Sequence, residues 1–186
     1  GRAQLELPRK AAIGRRAAEE VADGMTVFLD AGTTCEAVVA HLPIDRGITV
    51  VTNDFFAVTA VLARAGIAAI HTGGSVDPES GSSDGALAAA TLAHLSVDLC
   101  FLSAGAWDVG HGVTTPSADK LALKRAAIAS ASRSVLLADS TKFGAFERYR
   151  VAGLGELDAV ITDAGLAPAD AGAVRASGTT LELAAL

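Results

Sequence analysis

The sequence predicts an α/β protein of three layers, in which a mostly parallel sheet lies between helices on both of its faces. Apolar runs alternate with helix-like segments through most of the 186 residues. These runs are continuous, as in Val135-Leu136-Leu137, and do not alternate with polar residues. Continuous runs are typical of strands buried on both faces, as in a parallel sheet covered by helices. The composition is 51% hydrophobic but only 4% aromatic, which suits Ala-rich helices packed on Val/Ile strands.

The elements follow from this alternation in chain order. Residues 1–9 show no periodicity and contain Pro8, so we expect a linker there and one domain from residue 10 to residue 186. A first helix is predicted over residues 10–22, with Ile13, Ala17, Ala18 and Val21 on one face. The further predicted helices are 33–42, 54–65, 85–94, 117–131 and 168–176, and the predicted strands are 25–30, 48–52, 67–72, 98–104, 134–139, 158–162 and 179–183.

Charge and cysteine content exclude several classes of function. The formal net charge is −6, whereas nucleic-acid binding needs clustered Lys and Arg, so the chain alone should not bind DNA. No apolar stretch reaches the ~18 residues that span a bilayer, and no signal peptide is recognisable, so we expect a cytoplasmic location. Cys35 and Cys100 form no Cys-x-x-Cys pair, which argues against a structural zinc site and favours packing roles.

The turn after the first predicted strand has the composition of an anion site. Asp30-Ala31-Gly32-Thr33-Thr34 follows the apolar run 25–29 and precedes a predicted helix. Gly32 allows a sharp turn and a close approach by a ligand. Thr33 and Thr34 offer hydroxyl groups, and the first helical turn offers amides without intrahelical partners. Such a turn suits a phosphate.

Polar and glycine residues also follow the other predicted strands, where a parallel sheet binds its ligands. Each turn fits a helix cap or a tight turn as well, but together they predict one crevice. Lys142 would face an anion held at residues 32–34, while Asp30, Asn53 and Asp139 would meet ligand hydroxyls. The complete predicted ligand-binding set is Asp30, Gly32, Thr33, Thr34, Thr52, Asn53, Gly73, Gly74, Gly105, Asp139 and Lys142.

Three further residues leave alternatives open. Lys124 lies beside Arg125 in the predicted helix 117–131. Either one of these two side chains points into the crevice, or both point into solvent. His111 lies between two glycines and is a minor candidate for a ligand contact. Trp107 fits ligand stacking, an interface or the core. The four histidines lack metal-ligand spacing, and we expect neither a metal nor a cofactor.

Known catalytic and nucleotide-binding motifs are missing from the sequence. It contains no Gly-x-Ser-x-Gly, no Gly-x-x-x-x-Gly-Lys-Ser/Thr and no Gly-x-Gly-x-x-Gly after the first predicted strand. These absences argue against an α/β-hydrolase elbow, a P-loop and a dinucleotide site.

From about residue 10 to residue 183, the order and spacing of the motifs resemble the C-terminal effector-sensing domain of the DeoR family of bacterial transcriptional regulators. The resemblance is carried by Lys10-Ala11-Ala12-Ile13, Asp23-Gly24, residues 30–34, Val50-Val51-Thr52-Asn53, Gly73-Gly74, Gly112-Val113-Thr114-Thr115, Lys124, Asp139-Ser140-Thr141-Lys142-Phe143-Gly144 and Ile161-Thr162-Asp163.

The resemblance implies a Rossmann-like fold similar to that of ribose-5-phosphate isomerase, and a phosphorylated sugar or a similar small anion as effector. It also implies a winged helix-turn-helix domain before this one, DNA binding only through that domain, and a homodimer or homotetramer. Relatives often carry Gly-Ala-Asp-Gly after the fourth strand, where this chain has Gly105-Ala106-Trp107-Asp108. Because isomerisation needs a positioned base, this change favours a sensor. The alternatives are an isomerase-type enzyme and an oligomerisation module without a ligand.

Overall fold

A computed structural model describes residues 7–186 as twelve strands and six α-helices. The helices are α1 Leu7–Ala18, α2 Thr33–Glu36, α3 Phe55–Leu62, α4 Gly85–Ala93, α5 Ala118–Ser130 and α6 Pro168–Ala176. The strands are β1 Thr26–Leu29, β2 Thr49–Thr52, β3 Ala68–His71, β4 Ser75–Asp77, β5 Ser82–Asp84, β6 Val97–Leu102, β7 Ala106–Asp108, β8 Gly112–Thr115, β9 Ala131–Leu137, β10 Tyr149–Ala152, β11 Ala159–Asp163 and β12 Leu181–Ala184.

Seven strands form the central sheet in the order β12-β11-β9-β6-β1-β2-β3, and every pairing within it is parallel. The chain builds outward from β1 through β2 to β3 and then returns to place β6 on the other side of β1. Such a reversal opens a crevice at the carboxyl ends of the two strands that flank it. The predicted parallel α/β fold is therefore confirmed.

The core lies in two layers, one on each face of the sheet, because successive side chains of a strand point to opposite sides. Val27 and Leu29 of β1 pack with residues of α1, α2 and α3, whereas Phe28 packs with residues of α4, α5 and α6. All three side chains are fully buried. This double burial explains why the strands appear in the sequence as continuous apolar runs.

Two small antiparallel units were not predicted. One is the hairpin of β4 and β5, and the other is a three-stranded sheet in the order β10-β8-β7. These strands have only three or four residues, and their sequences range from the wholly polar Ser82-Ser83-Asp84 to the mixed Tyr149-Arg150-Val151-Ala152, so they show no continuous apolar run. Contacts with α4 and α5 stabilise them instead.

Two predicted helices differ clearly from the observed ones. The first helix spans Leu7–Ala18 and not residues 10–22, so residues 7–9 are not a linker and Val21 lies beyond the end of the helix; residues 1–6 lie outside the described part of the chain. Pro8 is accommodated because a first helical turn needs no amide donor there. The predicted helix 33–42 is α2 followed by a separate 3-10 turn, Val39–His41, in a segment whose β-branched Val38 and Val39 favour a helix less.

Candidate functional site

Two adjoining cavities open at the carboxyl ends of β1, β6 and β9. The Lys124 cavity has a volume of about 270 Å³, and the Lys142 cavity has a volume of about 200 Å³. They share Ala31, Gly32, Ser103 and Gly105 as lining residues, so they form one continuous cleft. The cleft lies at the strand reversal, which is where the topology of the sheet favours a ligand.

The Lys142 cavity brings together much of the predicted anion site. Thr33, Thr34, Asp139 and Lys142 line it, together with Lys10 of α1. Neither threonine hydroxyl forms a hydrogen bond with a described residue, and the Lys142 ammonium has no ion-pair partner within residues 7–186. The Lys142 ammonium and the two hydroxyls are therefore donors that an anion in this cavity could use.

Asp139 is held by the turn that follows β9. Its Oδ1 accepts a hydrogen bond of 3.0 Å from the Thr141 amide and another from the Thr141 hydroxyl. The side chain is buried, and its Oδ2 has no hydrogen-bond partner among the described residues. One carboxylate oxygen is thus left able to accept a hydrogen bond from a bound hydroxyl.

A buried ion pair forms the floor of the Lys124 cavity. The Lys124 ammonium contacts Asp30 Oδ2 and donates to the Ser103 carbonyl at 2.8 Å. Asp30 Oδ2 also accepts hydrogen bonds from the Ser103 amide at 3.0 Å and hydroxyl at 3.1 Å, while Oδ1 accepts from the Ala31 amide at 2.9 Å. Asp30 is 1% exposed and Lys124 is 6% exposed. Of the two alternatives for the Lys124 side chain, it points into the crevice and not into solvent.

A second lysine closes the opposite wall of the Lys124 cavity by tying the β4–β5 hairpin to α5. Lys120 Nζ lies 3.1 Å from Asp77 Oδ2 and 3.0 Å from Asp84 Oδ2. Burial alone would lower the pKa of Lys120, but its hydrogen bonds to Asp84 and Asp77 outweigh burial and raise the pKa. Hydrogen bonds from Ser80 and Lys120 lower the pKa of Asp77 to about 2. Both groups therefore stay charged near neutral pH.

The four lysines of the chain, Lys10, Lys120, Lys124 and Lys142, all line this cleft. The chain as a whole carries a net charge of −6. Four acidic residues, Asp30, Asp84, Asp139 and Glu147, line the same cleft. An anion is therefore favoured on the Lys142 side, where the Lys142 ammonium has no ion-pair partner among the described residues.

Gly32 and Asn53 lie at the cleft but bond partly to the protein itself. The Gly32 amide donates to Asp54 Oδ2 at 3.2 Å, so this amide, which we expected to face a phosphate, already has an acceptor. Asn53 donates from Nδ2 to the Ser83 carbonyl at 2.9 Å, whereas its Oδ1 has no partner among the described residues. Asn53 lines the Lys124 cavity as an acceptor.

Three predicted site residues line neither cavity. Thr52 is fully buried and uses its hydroxyl inside the protein, donating to the Leu29 carbonyl at 2.7 Å and accepting from the Asp54 amide at 3.1 Å. Gly73 and Gly74 adopt positive φ angles of 65° and 117° in the turn that leads into β4. A Cβ at Gly74 would lie 2.8 Å from the Asp84 carbonyl oxygen. These three residues shape the fold around the cleft and do not face it.

Trp107 and His111 take structural positions. Trp107 is fully buried and packs edge-on against Phe143, with ring centroids 4.7 Å apart; of its three readings, the core is correct. His111 stacks on Phe146 at 3.8 Å, and its Nδ1 lies 2.9 Å from Asp108 Oδ2. Asp108, the remaining acid of the altered turn, is thus engaged by His111.

Sequence reasoning did not assign Lys10, Lys120, Ser103 or Asp84 to the site. One signal was present: Lys120 and Lys124 are four residues apart, which places them on one face of a helix. Lys10 and Asp84 carry no local signal, because α1 and the β4–β5 hairpin reach the cleft only through the tertiary fold.

A family model described as the DeoR C terminal sensor domain matches residues 6–164. The chain belongs to this family. It is 45% identical over 163 residues to the HTH-type transcriptional regulator YgbI of Escherichia coli strain K12, covering 87% of this chain and 63% of that protein. It is 34% identical over 175 residues to the HTH-type transcriptional regulator GlpR of Haloferax volcanii, covering 94% of this chain and 68% of that protein. The chain thus spans somewhat under two thirds of the first curated relatives it matches.

Solved structures confirm the fold of this DeoR-family sensor domain. Ribose 5-phosphate isomerase A from Methanocaldococcus jannaschii aligns with a TM-score of 0.51 at 16% identity, over 74% of this chain and 55% of that one. The eIF2B beta subunit of Chaetomium thermophilum aligns with a TM-score of 0.57 at 15% identity, over 83% and 48%. At these identities the likeness concerns the fold alone. The sequence relatives are described as transcriptional regulators, in agreement with a sensor and not an enzyme.

Two searches of the described residues gave no site of another kind. No helix within residues 7–186 is long and apolar enough to span a bilayer. In the same part of the chain, no group of three or more His, Cys, Asp or Glu side chains is arranged to hold a metal ion.

Proposed function

We propose that this domain senses a phosphorylated sugar or a similar small anionic metabolite in a transcriptional repressor. The phosphoryl group would lie in the Lys142 cavity, and the sugar hydroxyls would lie in the Lys124 cavity. The observation that supports this most strongly is that the Lys142 ammonium and the Thr33 and Thr34 hydroxyls, which form no ion pair or hydrogen bond with the described residues, line one cavity at the carboxyl ends of the strands.

The two cavities suit different parts of such a ligand. The Lys142 cavity offers the Lys142 ammonium and two threonine hydroxyls, which are good donors to phosphate oxygens. In the Lys124 cavity, Lys124 and Lys120 are already neutralised by Asp30, Asp77 and Asp84. That cavity is polar without a cationic excess, which suits an uncharged polyol.

Through Lys10, a bound ligand could affect the position of α1. It belongs to α1, the first described helix, yet it lines the Lys142 cavity. An anion that contacts both Lys10 and Lys142 would fix α1 against the turn after β9. We infer that a winged helix-turn-helix domain before residue 7 binds DNA and that the changed position of α1 alters its affinity for DNA. We also infer that the protein is a cytoplasmic homodimer or homotetramer. A coupling free energy of ~1–3 kcal/mol suffices for regulation.

The test is a thermal-unfolding screen of sugar phosphates, the parent sugars and inorganic phosphate. A phosphorylated ligand at about 100 times its Kd should stabilise the domain by ~2.7 kcal/mol, or about 5–10 °C in Tm. The parent sugar should have little effect. If no phosphorylated metabolite shifts the Tm, the domain is an oligomerisation module that has lost its ligand.

Lys142→Ala tests the site itself. Losing one charge-assisted donor should weaken binding about ten- to hundred-fold. Arg148→Ala is the matched control, because Arg148 is an exposed cation six residues away that lines neither cavity; its affinity should stay within about twofold of wild type. Equal affinities of all three proteins, measured by calorimetry, would place the ligand elsewhere.

A further inference from the structure

The two edges of the central sheet differ in how they are protected. At one edge, β12 carries Glu182, which pairs with Arg16 of α1 at 3.3 Å, and Leu181 and Ala184 are buried. At the other edge, Ala68, Ala69 and Ile70 of β3 are all exposed. Because neighbouring side chains point to opposite faces, β3 is uncovered on both faces.

The open edge lacks the charges that normally prevent pairing between sheets. Residues 65–76 contain no Asp, Glu, Lys or Arg. Natural proteins usually protect an exposed edge with a charge, a proline or a bulge. Here β3 has none of these, and within the described residues it pairs only with β2.

Apolar side chains continue around this edge. Phe55 of α3 is 41% exposed and stacks on His71 of β3, with ring centroids 4.6 Å apart. Val76 of β4 is 58% exposed, and Leu87 of α4 is 73% exposed. The α4 helix is held to the end of this edge by a 2.8 Å bond from the Thr91 hydroxyl to the Thr72 carbonyl. We call Phe55, Ile70, Val76, Leu87 and the β3 backbone the β3 edge surface.

The backbone of β3 offers free donors and acceptors on its outer side. Ala68 and Thr72 donate their amides to the carbonyls of Ile48 and Thr52 on the β2 side. Backbone groups alternate along a strand, so the amides of Ala69 and His71 point away from β2. A strand of another chain could pair with them.

We propose that the β3 edge surface is the contact between two copies of this chain, with the two β3 strands paired antiparallel about a twofold axis. A second copy fits because the surface is uncharged and is its own complement, as a twofold interface requires. The four side chains expose on the order of a few hundred Å² of apolar area, comparable with the largest patches on monomers. The result is one sheet that continues across the dimer.

Sedimentation velocity of the whole chain over a range of concentrations tests this, with Ile70→Lys as the disrupting variant. Leu183→Lys on β12 is the matched control, since Ile70 and Leu183 are both 37% exposed on an edge strand of the same sheet. We expect wild type and Leu183→Lys to sediment as dimers or larger, and Ile70→Lys to fall to half the wild-type mass. A monomeric wild type, or an Ile70→Lys variant of unchanged mass, overturns the proposal.

Ala69→Pro separates strand pairing from general loss of structure. Proline removes the outward amide of β3 without removing a bond to β2, and proline is tolerated on edge strands at such positions. The variant should lose the dimer and keep the circular dichroism spectrum of the wild type. If Ala69→Pro folds and remains a dimer, the copies do not pair through β3. This test does not involve the ligand, so its outcome is independent of whether the cleft binds a phosphorylated metabolite.

Discussion

Asp30 illustrates why single residues of the cleft are hard to interpret from sequence. Its place after the first strand predicted a contact with a ligand hydroxyl. In the structure its two oxygens are occupied by Ala31, Ser103 and Lys124. Lys124 is 94 residues away, and no local pattern links two positions so far apart. By contrast, the glycine and threonines of residues 32–34 are next to one another, so their shared location at the cleft could be predicted.

The buried pair makes Lys124 a stability determinant. Lys124→Met leaves the Asp30 carboxylate without its cation in a site that is 1% exposed. We expect the free energy of unfolding in urea to fall by about 3 kcal/mol, as is usual when one partner of a buried pair is removed. The double variant Asp30→Asn with Lys124→Met should recover part of this loss, because no charge is left unpaired.

Arg125→Met is the control for this measurement. Arg125 is the next residue in α5; its side chain is 51% exposed, lies 3.5 Å from the exposed Glu156 and donates a hydrogen bond of 2.8 Å to the Val151 carbonyl. An exposed pair contributes at most about 1 kcal/mol. A loss in Lys124→Met no larger than in Arg125→Met would contradict the structural role of the Asp30–Lys124 pair.

At the scale of elements, the β4–β5 hairpin closes the Lys124 cavity through charge and not through a core. Hydrogen bonds from Ser80, Lys120 and the Glu79 amide lower the pKa of Asp77 from 3.8 to about 2. A carboxylate with a depressed pKa stabilises the folded state fully above its unfolded pKa and loses this effect as pH falls through its folded value. This stabilisation is therefore complete above pH 3.8 and disappears towards pH 2.

Asp77→Asn should consequently melt at a lower temperature than wild type at neutral pH. The difference in Tm should stay constant down to about pH 4 and narrow on further acidification, as thermal melts at a series of pH values would show. Glu79→Gln, on the same turn and without an ion pair among the described residues, should melt close to wild type at pH 7. A difference that widens with acid would contradict the assignment.

The α1 helix is positioned by very close backbone packing. A Cβ at Gly14 would lie 2.7 Å from the carbonyl carbon and oxygen of Ala37, in the segment that follows α2. Gly14→Ala should therefore push α1 outward and lower the free energy of unfolding by about 1–3 kcal/mol. Gly172→Ala in α6 meets nothing within 4 Å and should instead raise it by about 0.5–1 kcal/mol, because alanine favours a helix. Urea titrations of both variants would show the opposite signs.

At the scale of the whole molecule, the parallel sheet was predictable from the sequence, whereas the short strands in the connections between its strands were not. Seven buried strands produce long apolar runs, and that signal survives in a single sequence. The short strands β4, β5, β7, β8 and β10 have three or four residues each and mix polar with apolar side chains, so their sequences contain no comparable apolar run. The residues on the Lys142 side of the cleft come directly after β1 and β9, so their positions could be predicted from the strands. The Lys120 side depends on the hairpin and was therefore missed.

The gathering of every lysine in the cleft also affects how the protein is handled at the bench. Among the lysines of this chain, reagents that acylate primary amines will react first at Lys142, which is exposed in its turn. Coupling to an amine-reactive sensor chip, or labelling with an amine-reactive dye, would therefore modify the mouth of the cleft first. Immobilisation through a terminal tag keeps the cleft open, and a comparison of the two surfaces would show directly how much of the binding capacity depends on one ammonium group.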